Sequence, residues 1–387
     1  MTETGRRSGP LVGLLVADFS RVLAGPLATM ILGDLGADVI KVERPGTGDD
    51  TRAWGPPWHG DTSSYYKGLN RNKRSITLDL TNDEDVALAR RLAARADVLV
   101  ENFKPGTMER WGLGYKSLAI ENPRLVFCTI SGFGSEGPGA DLPGYDLLVQ
   151  AMSGLMSTTG LDGRPTKVGV ALIDKICGLY AVSGILAALV AEARSGRGQH
   201  VEVALFDAAL AALLNEGSAY LLAGAEATPR GNRHPSIAPY QTYQAADRLF
   251  ILAVGSDAQW VKVCTLIGRL DLAEDPELAT NSQRVAHIDL VERELERTFE
   301  KRDASEWISR FREAGIPSGP VNTIAEAFTF ATAIGRQPIV ELEDGDVIFR
   351  SVRPPVQMSD TPLEVRSVPP RIGEHANEVR AWLISDE

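Results

Sequence analysis

The first third of the chain alternates short apolar runs with segments of helical spacing, and this alternation limits the fold more than any other feature. The runs lie at residues 11–17, 38–43, 75–80 and 97–101, with a fifth at 125–130. Between the first two, Gly25-Pro26 precedes Leu27, Met30, Ile31 and Leu35, which share one helical face. Pro26 suits a first helical turn and Gly36 a stop. Thr81-x-x-Glu84, ahead of a charged stretch at 83–96, has the form of a capping box. Strand, helix, strand in this order predicts an α/β fold with a parallel sheet. At 387 residues the chain exceeds one ordinary domain of ~150, which predicts two or three.

Downstream the pattern changes. Residues 131–169 are rich in glycine and proline and poor in charge, which predicts working loops. The longest uncharged apolar stretch, 176–191, lies between Lys175 and Glu192 and falls short of the ~18–20 residues that span a bilayer. It reads as a helix buried on all sides, with Gly178, Ser183 and Gly184 permitting close packing. An alternating strand at 201–205 and a helix at 206–223 follow, and then a proline-punctuated linker at 225–239. Beyond it, residues 240–254 form a hairpin pattern turning at Ala246-Asp247-Arg248. Helical patterns at 259–267, 291–300 and 304–314 complete a smaller α+β domain over 240–322. The polar start at 1–9 and the short run ending at Asp18 do not make an export signal.

Forty Lys+Arg against 51 Asp+Glu leave a net charge of −11, which argues against nucleic acid or an acidic membrane as a general partner. Cys128, Cys177 and Cys264 are too scattered for a zinc site or a disulfide framework, so a reducing, cytoplasmic setting is expected. Five dispersed histidines and the lack of an HExxH or carboxylate-rich loop predict no metal site. Gly132, Gly134 and Gly137 have dinucleotide-fingerprint spacing, but Pro138, Gly139 and Pro143 stand where that fingerprint needs a helix. A glycine loop is predicted instead. Lys67, Arg71, Lys73 and Arg74 form either a solvated charge run or a phosphate-binding rim. With Arg44, Lys104 and Arg110 at the expected carboxyl ends of strands, they point to a polyphosphate ligand.

Asp174 precedes the apolar helix. It suits an N-cap, and equally a displayed carboxylate, ionised at neutral pH, that attacks an activated acyl group without a general base. Gly231-Asn232-Arg233-His234 reads as a linker turn, or as an acceptor loop in which Arg233 meets a second carboxylate.

Several blocks together carry a resemblance. Asp18-Phe19-Ser20-Arg21-Val22-Leu23-Ala24-Gly25-Pro26 is followed by Leu32-Gly33-Asp34-Leu35-Gly36-Ala37-Asp38, Gly46-x-Gly48-Asp49 and Asn72-Lys73-Arg74-Ser75. Glu101-Asn102-Phe103, Gly144-Tyr145-Asp146, Gly169-x-x-x-x-Asp174, Gly196-x-Gly198-Gln199 and Gly315-Ile316-Pro317-x-Gly319-Pro320 come next in order. This succession resembles the family III CoA-transferases (CaiB/BaiF), which include formyl-CoA and carnitine CoA-transferases. The resemblance implies a Rossmann-like large domain with a parallel sheet, built from both chain ends, plus a smaller α+β domain, in an interlocked homodimer. On that basis residues 1–205 form the large domain, 206–239 a linker and 240–322 the small domain, with 323–387 returning to the large one.

The resemblance also implies acyl-CoA and a carboxylic acid as substrates, with no tightly bound cofactor. Asp174 would be the catalytic aspartate, acting through an aspartyl mixed anhydride and an aspartyl-CoA thioester. Val22, Leu23, Arg44, Leu78, Thr81, Asn102, Phe103, Lys104, Arg110, Tyr145 and Asp146 would form the CoA site. The alternatives are an α-methylacyl-CoA racemase of the same fold and a non-catalytic CoA-binding regulator. Tyr145 stands where the racemases carry a histidine, which favours transfer: its ordinary pKa near 10 suits two-base exchange poorly at neutral pH.

Overall fold

The computed structural model describes residues 8–161, 163–345 and 347–385. The chain divides into two units. The larger comprises Met1–Met156, Lys167–Glu226 and Gln337–Glu387, and the smaller Ser157–Thr166 and Ala227–Arg336.

The larger unit is built on six parallel strands: β1 (Leu15–Asp18), β2 (Asp38–Glu43), β3 (Lys73–Thr77), β4 (Val98–Glu101), β5 (Val126–Ser131) and β6 (His200–Ala204). Their spatial order is β3-β2-β1-β4-β5-β6, so the chain winds outward from β1 in one direction and then restarts on its other side. All five early apolar runs became strands, and the run at 201–205 became the sixth. The inner strands β1, β4 and β5 are mostly apolar because helices cover both faces of the sheet, whereas β2 and the edge strands β3 and β6 carry several polar or charged residues. Val16, Val39, Val98 and Val126 point into one core with α1 (Ala24–Asp34). Their neighbours Ala17, Ile40, Leu99 and Phe127 point into the other, with α2 (Asp83–Arg95) and the C-terminal helix Ala376–Ile384. The sheet connections also include α3 (Tyr115–Glu121), α4 (Asp146–Met152) and α5 (Leu172–Ser195).

Four local expectations are corrected. The cap of α2 is Asn82, whose side chain accepts the Glu84 N–H at 2.8 Å, while Thr81 turns its hydroxyl and N–H onto Asp79. A nearby carboxylate outcompeted the capping box for the threonine. Helix α5 is longer than the apolar stretch and is not buried on all sides. Ile173, Cys177, Ala181, Ile185 and Ala188 form its buried stripe, whereas Leu179, Tyr180 and Val190 are about half exposed. By length and composition alone this 24-residue helix is apolar enough to cross a membrane, yet its buried stripe joins the core beside the sheet. The helix expected at 206–223 is two, α6 (Leu205–Ala212) and α7 (Leu214–Ala223), bent by 79°.

The fourth correction concerns the basic cluster, which is not a phosphate rim. Lys67 pairs with Asp344, Arg71 with Asp34, Lys73 with Asp18, and Arg74 with Asp38 and Glu378, at 2.6–2.9 Å. Partners such as Asp344 and Glu378 are distant in sequence, so charge spacing alone could not reveal them. Asn72 adds to this stitching: its side chain donates to the Glu364 carbonyl and accepts the N–H groups of Arg366 and Ser367. Together these bonds fasten the C-terminal segment along edge strand β3, leaving its backbone less open to strange partners.

Three glycines matter to the positions of α1 and the loops. A Cβ on Gly178 would lie 2.8 Å from the Ala24 carbonyl oxygen, so the glycine sets how closely α5 approaches the first turn of α1. We expect Gly178→Ala to force these helices apart at a cost of about 1–3 kcal/mol, read as a lower urea midpoint with unchanged m-value. Gly132 and Gly144 pack face to face, each so close that a Cβ would collide with the other's Cα. This crossing explains the first glycine of the fingerprint-like spacing. After it the chain turns through Gly134 and Gly137, both at positive φ, and no helix begins until α4.

In the smaller unit β7 (Tyr240–Gln244), β8 (Leu249–Ala253) and β9 (Ser318–Pro320) form an antiparallel sheet, and the predicted hairpin is the β7–β8 pair. Helices α8 (Asp257–Ile267), α9 (Ile288–Phe299), α10 (Ala304–Glu313) and α11 (Ile324–Ala333) follow. Tyr243, Phe250, Phe299 and Phe311 form an edge-on aromatic core with Trp307. Arg233 is engaged by Glu292 and Asp289 within this unit, so it is not displayed for a second carboxylate.

Candidate active site

The ends of β1 and β2 and the start of β3 carry an inner layer of opposite charges. Asp18, fully buried, accepts the Ser20 N–H at 3.0 Å, the Thr29 hydroxyl at 2.7 Å and the Lys73 ammonium at 2.9 Å. Lys41, equally buried, pairs with Asp49 at 3.0 Å and donates to the Ser20 carbonyl. Glu43 takes two bonds from Arg52 and one from Ser75. Burial alone would push these carboxyls up. For Asp18 the charges of Lys73 and Lys41, with hydrogen bonds from Ser20 and Lys73, outweigh burial and hold it at about 2. The same balance lowers Glu43 and Asp49.

This layer shapes the loop between β1 and α1. Val22 adopts a left-handed backbone (φ 71°), and its N–H reaches the Asp49 carboxylate at 3.3 Å. Asn102, after β4, grips the Arg21 backbone at both ends, accepting its N–H at 2.8 Å and donating to its carbonyl at 2.7 Å. Leu23 ends the loop as the residue preceding α1.

Above the loop lies a cavity of about 570 Å³. Its wall comes from four strand ends: Phe19 and Arg21 after β1, Arg44 to Asp49 after β2, Leu78 to Thr81 after β3, and Phe103, Lys104 and Trp111 after β4. It therefore straddles the point where the strand order reverses, the usual ligand position in open α/β sheets. The Phe103 ring packs edge-on against Trp111 and lies 4.8 Å beneath the Arg21 guanidinium. Arg44 pairs with Asp50 at the rim. Among the described residues, the Lys104 ammonium has no carboxylate partner.

Of the residues singled out from sequence, Arg44, Leu78, Thr81, Phe103 and Lys104 line this cavity. Val22, Leu23 and Asn102 build the adjoining loop rather than the wall. Arg110 is exposed on the turn Thr107–Arg110, where it donates to Thr107 and does not line the wall. Tyr145, 66 % exposed, and Asp146 lie at the start of α4, also off this wall. Arg21, Lys41 and Trp111 were missed as lining residues. Arg21 stood inside the quoted opening block, but only the loop's folded path turns it inward.

Asp174 is the third residue of α5, and the residue before the helix is Ala171, which has no side-chain cap to offer. The N-cap reading of Asp174 is thus corrected: the helix N–H groups are taken by Asp146, whose Oδ1 accepts from Ile173 at 2.8 Å and from Asp174 at 3.3 Å. Burial, and secondarily the charge of Asp146, push the Asp174 carboxyl up to about 7. Among the described residues no cation pairs with it. Gly178, four residues on and so on the same helical face, touches Ala24, which places Asp174 on the side of α5 that faces the β1–α1 loop. Tyr65 connects the two regions electrically. Burial and the charges of Asp174, Asp146 and Asp49 together push its hydroxyl up to about 12, and Asp49 belongs to the cavity wall.

A partly buried carboxylate and, in the same unit, a large cavity with cationic side chains are parts suited to acyl chemistry on a phosphorylated carrier. Comparison with known proteins agrees. The sequence profile of CoA-transferase family III matches residues 11–376. The chain is 45 % identical to the succinate–glutarate CoA-transferase of Agrobacterium fabrum, across 99 % of this chain and 98 % of that one. It is 41 % identical to the acetyl-CoA:oxalate CoA-transferase of Acetobacter aceti, over the full length of both. The crystal structure of a CaiB/BaiF family protein from Brucella suis superposes with a TM-score of 0.89 at 42 % identity, covering 97 % of this chain and all of that one. With a profile match over nearly its whole length, relatives this similar and the same fold, the chain belongs to CoA-transferase family III.

Proposed function

We propose that Asp174 is the residue through which this CoA-transferase moves CoA from an acyl-CoA to a carboxylic acid. The observation that carries this reading is a half-buried carboxylate, unpaired by any cation among the described residues, held at a helix start. An Asp174 oxygen attacks the thioester carbonyl, the C–S bond breaks, and CoA leaves as a thiolate from an acyl-aspartyl anhydride. The thiolate then attacks the aspartyl carbonyl and expels the donor acid as a carboxylate, leaving an aspartyl-CoA thioester. The acceptor carboxylate attacks that thioester and regenerates a thiolate and a second anhydride. Thiolate attack on the acceptor's acyl carbon frees Asp174. Each step exchanges one anion for another, so no general acid or base is required.

The cavity at the strand ends is the proposed seat of CoA, with Lys104 and Arg21 as cationic contacts to its phosphates and Phe103 and Trp111 as apolar surface. Lys104→Ala should raise the acyl-CoA KM about tenfold with kcat little changed, the size of one charge-assisted hydrogen bond. An unchanged KM would remove Lys104 from the site.

For the acids we favour dicarboxylates, since the relatives from Agrobacterium fabrum and Acetobacter aceti act, by name, on succinate, glutarate and oxalate. Succinyl-CoA and acetyl-CoA should be screened against mono- and dicarboxylic acids. Exchange confined to monocarboxylates would refute the dicarboxylate assignment. Hydroxylamine added with acyl-CoA should convert Asp174 to its hydroxamate and inactivate the enzyme, as peptide mass mapping would show.

Two further assignments belong to the same reading. An interlocked homodimer is supported by apolar side chains left exposed in the single chain: Leu179, Tyr180 and Val190 on α5, and Leu214, Leu221 and Leu222 on α7. Light scattering should give twice the chain mass of 41.7 kDa. A cytoplasmic site of action is supported by three buried, unbonded cysteines.

A further inference from the structure

We infer that Asp146 is a positioning residue for catalysis, one that fixes Asp174 by capping α5 from another helix and sets a carboxylate beside it. The inference rests on the reading of Asp174 as the nucleophile.

A helix begins with N–H groups that have no intrahelical partner, and a side chain next to its start ordinarily satisfies them. Ala171 cannot. Asp146, at the first position of α4, does so instead, and both of its oxygens are committed. Oδ1 takes the N–H groups of Ile173 and of Asp174 itself. Oδ2 takes the Gln150 amide at 2.6 Å, and the other end of that fully buried amide accepts the Val168 N–H at 2.9 Å. One carboxylate therefore ties down the backbone of the reacting residue, and through Gln150 the segment leading into it. Three of the about four acceptor sites of the carboxylate are thus taken up inside the protein.

The charge of Asp146 has a separate effect. An uncapped helix start, with its partial positive charge, would favour the carboxylate form of Asp174 and weaken it as a base. An anion there cancels that field. Around Asp174 the titratable groups are Asp146 from α4, Tyr65 from the turn Ser64–Lys67, and Cys177 on α5. Tyr65 and Cys177 are both pushed up to about 12, so they are neutral near pH 7, and Asp146 is the charged neighbour. A more basic Asp174 attacks a thioester faster.

The test compares the purified enzyme with Asp146→Asn and Asp146→Glu. Asparagine still caps a helix, but it removes the charge and sets an amide against the Gln150 amide. For Asp146→Asn we expect kcat to fall at least tenfold, acyl-CoA KM to stay within twofold, and the acid limb of the kcat/KM profile to move down by about one pH unit, the equivalent of a tenfold change in Asp174 ionisation. Partial rescue by Asp146→Glu, with all melting temperatures alike, would support the charge role. If Asp146→Asn keeps the wild-type kcat and acid limb, or raises KM alone, the inference is wrong and Asp146 is a cap or a CoA contact only. Hydroxylamine mapping separates this from the reading beneath it. Wild-type enzyme unlabelled at Asp174 overturns both, whereas Asp174 labelled at equal rates in wild type and Asp146→Asn overturns the positioning role alone.

Discussion

Asp174→Ala is expected to lower CoA transfer by roughly 10⁴-fold or more, the scale on which a covalent enzyme loses turnover without its nucleophile. Asp174 faces no cation among the described residues and takes part in no buried ion pair. Its loss should therefore leave the melting temperature within a few degrees of wild type. Acyl-CoA binding should persist, because the cavity wall at the ends of β1 to β4 does not include this residue. Isothermal titration with CoA and an exchange assay together make the distinction. Full activity in Asp174→Ala would end the aspartyl mechanism. A pH profile of the wild type adds a second reading. With its carboxyl pushed up to about 7, Asp174 gains nucleophilic anion as pH rises, so kcat/KM should climb through neutrality on its acid limb.

Asp18→Ala should have the largest effect on stability. Its carboxylate is fully buried, and without it the Lys73 ammonium loses its ion pair while the Ser20 and Thr29 donors lose an acceptor. Removing one member of a buried pair typically costs about 3–5 kcal/mol, because the remaining charge is stranded away from water. Urea unfolding followed by circular dichroism should show this as a lowered midpoint, and a midpoint equal to wild type would contradict it. The pH dependence follows in sign. The group sits at about 2 in the folded chain against an ordinary 3.8, so its contribution is complete above pH 4 and is lost as pH falls towards 2. Glu43 and Asp49 are lowered for the same reason, and acid unfolding should draw on all three.

The sheet was legible because its inner strands β1, β4 and β5 are buried on both faces and mostly apolar, and the hairpin β7–β8 because its turn residues are local. The α5 helix was recognised by composition, but its exposed side was not, since an apolar residue reads the same whether its neighbour is core or open surface. The basic cluster misled for a related reason. Arg71 and Lys73 are adjacent to other cations in sequence, whereas the carboxylates that neutralise them, Asp34 and Asp18, arrive through folding. Asp174 itself stood out by position, at the junction of a glycine-rich stretch and a helix. Its cap did not, because Asp146 lies 28 residues upstream and nothing local links the two. Side chains that act through one neighbour in space are the ones a linear reading loses.

The bonds from Asn72 and Ser75 to the last part of the chain, at separations of 292 to 300 residues, bear on how the protein is made. Strand β3 leaves a ribosome well before its outer partners, Glu364, Arg366, Ser367 and His375, which follow it by 292 to 300 residues. Until then the edge beside the nascent cavity lacks its covering segment. Loop closure over such a distance must precede the contacts that reward it, which slows folding and prolongs exposure of that edge. The segment that covers this edge is thus made long after the strand it covers, so the larger unit closes only once both have left the ribosome.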